Sequence, residues 1–218
     1  MKINVNRITL NHEIIGHGKP LILLHGNQEN YHIFDMIKDE LSKKYEVHLI
    51  DSRNHGDSEK TEDFTFKTMT EDIASYIEKL NLGSVYFYGY SDGGIIGFML
   101  SYMYPQMVKK LMVSGVNVHP SGLKKNLMKE IIETYEKNKS PYLKMMMDQP
   151  NIQDKDLNKI QIPVLLTLGE YDLITRSHTK SIISNLKYGA LKIYPGLDHG
   201  SHLNNHRTFI NDLLNFFD

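Results

Sequence analysis

Ser91, Asp172 and His199 are the three side chains of this 218-residue chain whose types, order and settings suit nucleophilic chemistry. A serine hydroxyl attacks a carbonyl carbon only when a base removes its proton, and a third group must hold that base in one tautomer. Ser91 stands in Gly89-Tyr90-Ser91-Asp92-Gly93, a Gly-x-Ser-x-Gly pattern. The pattern carries chemistry only where a strand turns sharply into a helix. Here the run Val85-Tyr86-Phe87-Tyr88 reads as a buried strand, and Gly94-Ile95-Ile96-Gly97 opens an apolar segment of helical period. Glycines at 89 and 93 let strand and helix approach closely, and the strained turn lifts the Ser91 hydroxyl above the sheet. The helix N-terminus beneath it offers unpaired N–H groups to a developing oxyanion.

For a serine on such a turn the carboxylate comes next in the chain and the histidine last. Asp172 follows 81 residues later, in Leu168-Gly169-Glu170-Tyr171-Asp172, and His199 another 27 residues on, in Gly196-Leu197-Asp198-His199-Gly200. Each has an ordinary alternative, a helix cap for Asp172 and a surface or core position for any one of 11 histidines. Order and placement after strands favour the joint reading. Among the rivals, His202 is expected to cap or pack at the start of the last helix. Asp198 adjoins His199, and neighbouring side chains of extended backbone point apart. Glu170 ranks below Asp172. Asn117, after the strand at 110–115, carries no charge to serve as the acid.

Two backbone donors are needed to hold an oxyanion, one just after the nucleophile and one from the loop after an earlier strand. Asp92 N–H is the first. His25-Gly26-Asn27 supplies the second, expected to be Asn27 N–H, with Gly26 free to aim it inward.

These residues need a scaffold that brings them together, and the pattern of elements supplies one. Residues 2–9 and 12–16 alternate about Asn11 as an opening hairpin. Strands are expected at 20–26, 46–51, 85–89, 110–115, 163–168 and 190–194, and helices at 31–44, 68–80, 176–186 and 203–217. Alternating strands and helices give an α/β fold with a mostly parallel sheet covered on both faces. Ligands of such sheets lie beyond the carboxyl ends of the strands, and every candidate residue falls just after a strand.

The length suits one domain, residues 1–218. A net charge of −1, with 23% charged residues spread along the chain, gives no case for nucleic acid or an anionic membrane surface. With no cysteine the chain has no disulfide, no thiolate chemistry and no Cys-ligated zinc, which suits a reducing cytoplasm. No signal peptide is visible, and no apolar run reaches the ~18 residues of a membrane span. No metal or organic cofactor is expected, and the oligomeric state is not encoded in any recognisable pattern.

The chain resembles the α/β-hydrolase superfamily over nearly its whole length. The likeness rests on His25-Gly26, Asp51-Ser52-Arg53-Asn54-His55-Gly56-Asp57-Ser58, the turn at 89–93, Gly169-Glu170-Tyr171-Asp172 and Gly196-Leu197-Asp198-His199. It implies a central sheet of about eight strands and a serine-hydrolase mechanism with Ser91, Asp172 and His199 as catalytic residues and Asn27 and Asp92 at the oxyanion hole. Relatives carry a cap after the strand at 110–115. Here about 117–160 is available, read as two short helices, 123–138 and 141–147. Asn54 replaces a usual glycine, and asparagine tolerates the positive φ the turn requires. Gly-Tyr-Ser-Asp-Gly-Gly is similar to the valacyclovir-hydrolase-like branch, so an acid beside the nucleophile suggests a substrate with a cationic group. The expected activity is that of a carboxylesterase on a small-molecule ester. A carbon–carbon bond hydrolase or lactonase on the same residues, or a ligand-binding protein on the same fold, are the alternatives. Ser91 excludes chemistry that needs a carboxylate nucleophile.

Overall fold

The computed structural model describes residues 1–204 and 207–218. Eight strands form one sheet in the order β1-β2-β4-β3-β5-β6-β7-β8. They are β1 (Lys2–Val5), β2 (Ile8–Gly16), β3 (Lys19–Leu24), β4 (Tyr45–Ile50), β5 (Val85–Tyr90), β6 (Val108–Ser114), β7 (Val164–Gly169) and β8 (Gly189–Tyr194). β1 and β2 run antiparallel to their neighbours, and the rest of the sheet is parallel. The opening hairpin turns at Asn6-Arg7 rather than at Asn11, with φ of 42° and 62°. Two successive left-handed residues make the tight turn that matches strand twist. Asn11 instead lies within β2 and turns inward, where its amide donates to Asp51 Oδ2 at 2.9 Å.

The parallel strands are apolar on both faces because helices cover both. Leu21 to Leu24 of β3 are all fully buried. Ile22 and Leu24 enter the core under α2 (Phe66–Lys79) and α3 (Asp92–Met103), and Leu21 and Leu23 enter the core under α1 (Asp35–Ser42) and α8 (Arg207–Phe217). A short 3-10 turn, Tyr31–Phe34, precedes α1 where one longer helix was expected. Residues 205 and 206, part of the expected helix 203–217, lie outside the described residues. Among the described residues no helix is long and apolar enough to cross a membrane.

Between β6 and β7 stand α4 (Lys125–Asn138), α5 (Pro141–Asp148) and a short α6 (Asp154–Leu157), one helix more than the sequence suggested. α6 is a single turn, too short to show a period, with Asp154 and Asp156 placed where the helix dipole favours acids. α7 (Arg176–Ser184) follows β7. Leu123, Ile131, Leu168 and Ile174 form a small separate core that seats α4 and α5 over the carboxyl end of the sheet.

Candidate active site

Ser91 follows β5 directly and has φ 51° and ψ −116°, outside the comfortable regions for a residue with a side chain. The surroundings enforce that geometry. Ser91 N–H donates to Ser114 O of β6 at 2.9 Å, and Ser91 O accepts from Gly94 and Ile95 N–H of α3. A Cβ on Gly93 would stand 2.1 Å from Leu24 O, and one on Gly89 2.3 Å from Gly93 O. Only glycine permits the strand and helix to pass this closely.

Three strand ends bring the acid–base residues to the serine. His199 Nε2 lies 3.2 Å from Ser91 Oγ, and His199 Nδ1 lies 2.8 Å from Asp172 Oδ1. Asp172 is 2% exposed and also accepts from Ile174 and Gly169 N–H. Burial alone would raise its pKa, but the hydrogen bond and charge of His199 and these two amides outweigh that and hold it below the usual value. An ionised Asp172 accepts from Nδ1–H, which leaves the Nε2 lone pair facing the Ser91 hydroxyl. The Tyr90 ring lies 5.1 Å from the imidazole, centroid to centroid.

Gly115, just after β6, completes the seat of the imidazole. It has φ 60°, and a Cβ there would stand 2.5 Å from His199 Cε1 and 3.3 Å from Asp172 Oδ2. Its signal in the sequence was only a glycine ending a strand. The rivals bond to other partners, although Asn117 lines the cavity at Ser91. His202 is buried against Phe209, with Nε2 3.2 Å from Tyr88 Oη. Glu170 accepts from Gly196 N–H, Asp198 from Gly200 and Ser201 N–H, and Asn117 donates to His119 O.

Asp92 is the first residue of α3, so its N–H has no carbonyl one turn earlier to bond. Asn27 lies in the turn after β3. The two are joined by their side chains, Asn27 Nδ2 donating to Asp92 Oδ2 at 2.9 Å. Asp92 is 8% exposed. Burial pushes its carboxyl up to about 6, with help from the charge of Glu29 and against the opposing amide of Asn27 and charge of His199. Glu29 enters this site without any warning in the sequence. Its Oε2 accepts from Gly26 N–H at 2.9 Å and pins the turn. Gly26 does not adopt a positive φ, and glycine is needed there for room. A Cβ would meet Glu29 Oε2 at 2.7 Å and Ser91 Cβ at 3.0 Å.

A cavity of about 30 Å³ opens at Ser91 and His199, walled by Phe66, Ile95, Leu123, Leu127, Met146 and Leu173. No lysine or arginine lines it. Among the described residues no group of three or more histidine, aspartate or glutamate side chains is placed to hold a metal ion. What this arrangement can do is withdraw a proton from the Ser91 hydroxyl.

Residues 19–140 match the alpha/beta hydrolase fold family. The AB hydrolase superfamily protein YisY of Bacillus subtilis (strain 168) is 26% identical over 240 aligned residues, covering 89% of this chain and 90% of YisY. Serine hydrolase BPHL of Mus musculus is 24% identical over 93% of this chain and 80% of its own length. In fold, the chain is similar to the meta-cleavage product hydrolase CumD from Pseudomonas fluorescens IP01, with a TM-score of 0.84 and 17% identity over 100% of this chain and 97% of that one. A family match spanning more than half of the sequence, on a chain with this eight-stranded sheet, places it in the α/β-hydrolase family.

Proposed function

We propose that this member of the hydrolase family is a serine carboxylesterase for small esters, working as one domain with α4 to α6 as a small cap. The observation that carries the reading is the unbroken line Asp172–His199–Ser91, with contacts of 2.8 and 3.2 Å. Ser91 Oγ attacks the ester carbon while His199 Nε2 takes its proton. The negative oxygen is held by Asn27 and Asp92 N–H. His199 then passes the proton to the departing alkoxide, and the bond to the alcohol breaks. Water, deprotonated by His199, attacks the acyl-enzyme and releases the acid, returning the proton to Ser91. Asp172 stays ionised and stabilises the imidazolium.

The small cavity, lined by Asp92, Asn117 and Gln149 as well as by apolar side chains, supports a short acyl group without an acid, since a wall without lysine or arginine leaves an acidic acyl chain unpaired. Solved structures of similar fold include an enol-lactonase from Burkholderia xenovorans LB400 as well as the meta-cleavage product hydrolase. Lactone or carbon–carbon cleavage on the same three residues is therefore the second reading. The deciding assay compares short p-nitrophenyl esters, lactones and vinylogous diketones, and locates a fluorophosphonate adduct by mass. Ester turnover with the label on Ser91, both abolished in Ser91→Ala, is the expected result. Full activity in Ser91→Ala would refute the assignment.

A further inference from the structure

The carboxyl ends of the strands carry two hollows, and Ser91 lines the first of them. The apolar cavity lies over β5, β6 and β7. A second, open cleft of about 270 Å³ lies over β3 and β4 and is lined by Gln28, Glu29, Asn54, His55, Lys60 and Tyr142. One helix covers both, because Tyr142 and Met146 are one turn apart on α5. Tyr142 Oη donates to Asn54 O at 2.6 Å on one side, and Met146 walls the cavity on the other.

Glu29 is the side chain that joins the cleft to the reacting centre. A single carbon at Gly26 would touch both its carboxylate and Ser91 Cβ. The carboxylate is half-buried, accepts one amide N–H, and is in no ion pair among the described residues. Burial raises its pKa, opposed by Gly26 N–H and by the charge of His199, so it lies within electrostatic reach of the group that protonates the leaving oxygen. Two buried side-chain atoms of the adjoining turns also lack a hydrogen-bond partner. His55 Nδ1 is committed to Arg53 O, which leaves buried Nε2 an acceptor without a partner, and Asn27 Oδ1 is likewise unpaired. A half-buried carboxylate in no ion pair, at the edge of an open cleft, favours a cationic hydrogen-bond donor. Asp92 is a poorer anchor for such a group, because it is buried and already bonded to Asn27.

We propose that the cleft over β3 and β4 receives the leaving-group half of the substrate, and that Glu29 makes it selective for esters of cationic amino alcohols. The proposal rests on the esterase reading. The roomy cleft suits the larger departing group, while the small cavity keeps the short acyl chain.

The test uses isosteric pairs at pH 7. The first pair is 2-(dimethylamino)ethyl acetate, cationic at this pH, and neutral 3-methylbutyl acetate. The second moves the cation to the acyl half, as N,N-dimethylglycine ethyl ester against ethyl 3-methylbutanoate. The wild type is expected to show kcat/KM about 10-fold higher for the cationic member of the first pair only. In Glu29→Gln, which keeps an acceptor for Gly26 N–H, that ratio should fall toward one, and in Lys60→Gln it should rise. Turnover of both acetates without a preference would overturn the role of Glu29, as would a preference lost in Asp92→Asn and kept in Glu29→Gln. A preference confined to the second pair would overturn the assignment of the cleft to the alcohol. Absence of turnover together with an unlabelled Ser91 would instead remove the esterase reading beneath it.

Discussion

The two sides of Ser91 are built by different means. Toward β6, β7 and β8 the site is fixed by backbone. Asp172 follows β7, His199 follows β8, and Gly115 keeps clear the space that the imidazole fills. Toward β3 and β4 it is fixed by side chains. Glu29 pins Gly26, Asn27 is bonded to Asp92, and Asp51 accepts from Tyr31 and Asp57 N–H to tie the turn after β3 to the turn after β4. A part set by strand ends can be damaged but hardly tuned. A part set by exchangeable polar contacts can change its preference while the reacting atoms stay in place.

Asp172→Asn should give the sharpest break of the first side. It preserves shape but favours the wrong histidine tautomer, and kcat is expected to drop by about 10⁴-fold with little change in KM, measured with a short p-nitrophenyl ester. Gly115→Ala should cost about 10²-fold in kcat, because a methyl group displaces His199 by a fraction of its contact distance without removing any reacting group. The same variant should still react with a fluorophosphonate, only more slowly. If its rate matched the wild type, the backbone side would be softer than described.

Changes on the side-chain side should be milder and of another kind. Asp92 has its pKa raised from 3.8 to about 6. A folded-state pKa above the unfolded one gives stability that is fully present below pH 3.8 and is lost as the pH rises through about 6. Asp92→Asn removes a buried charge and should raise stability by roughly 1–3 kcal/mol at pH 7.5, with the gain fading toward pH 4. Melting curves at both pH values check the sign. Tyr142→Phe removes one hydrogen bond to Asn54 O and should raise KM a few-fold with kcat nearly unchanged, a loss of about 1 kcal/mol. A large fall in kcat from that variant would mean that α5 positions the reacting atoms rather than the bound alcohol.

The same contrast explains what was legible in the sequence. Strands with continuous apolar runs announced themselves, and the residues just past their ends were therefore readable as a set. Ser91, Asp172 and His199 converge because β5, β7 and β8 are parallel and end at one edge. Glu29 gave no signal, because its place depends on a turn folding back on Gly26, and nothing in Gly26-Asn27-Gln28-Glu29 has a period. Gly115 was visible only as a strand ending, since the group that forbids a side chain there is contributed by a distant part of the chain. Asn11 misled for a related reason. A polar residue between two alternating stretches reads as a turn, but its partner Asp51 lies in another element and keeps it within β2. Asn54 is the contrary case, a local requirement met by a local property, and it does adopt a φ of 65°.

The separation of 108 residues between Ser91 and His199 has a consequence in time. The serine turn and the loop facing it need only β3, β5 and β6, which lie together at the middle of the sheet. The imidazole arrives only when β8, the edge strand, has paired with β7 and the turn at 195–199 has closed. Contacts of such long range form late in folding. Recovery of turnover after dilution from denaturant should therefore lag behind recovery of the far-ultraviolet signal. A chain still emerging from the ribosome would present its nucleophile early, yet remain chemically silent until its last strand was laid down.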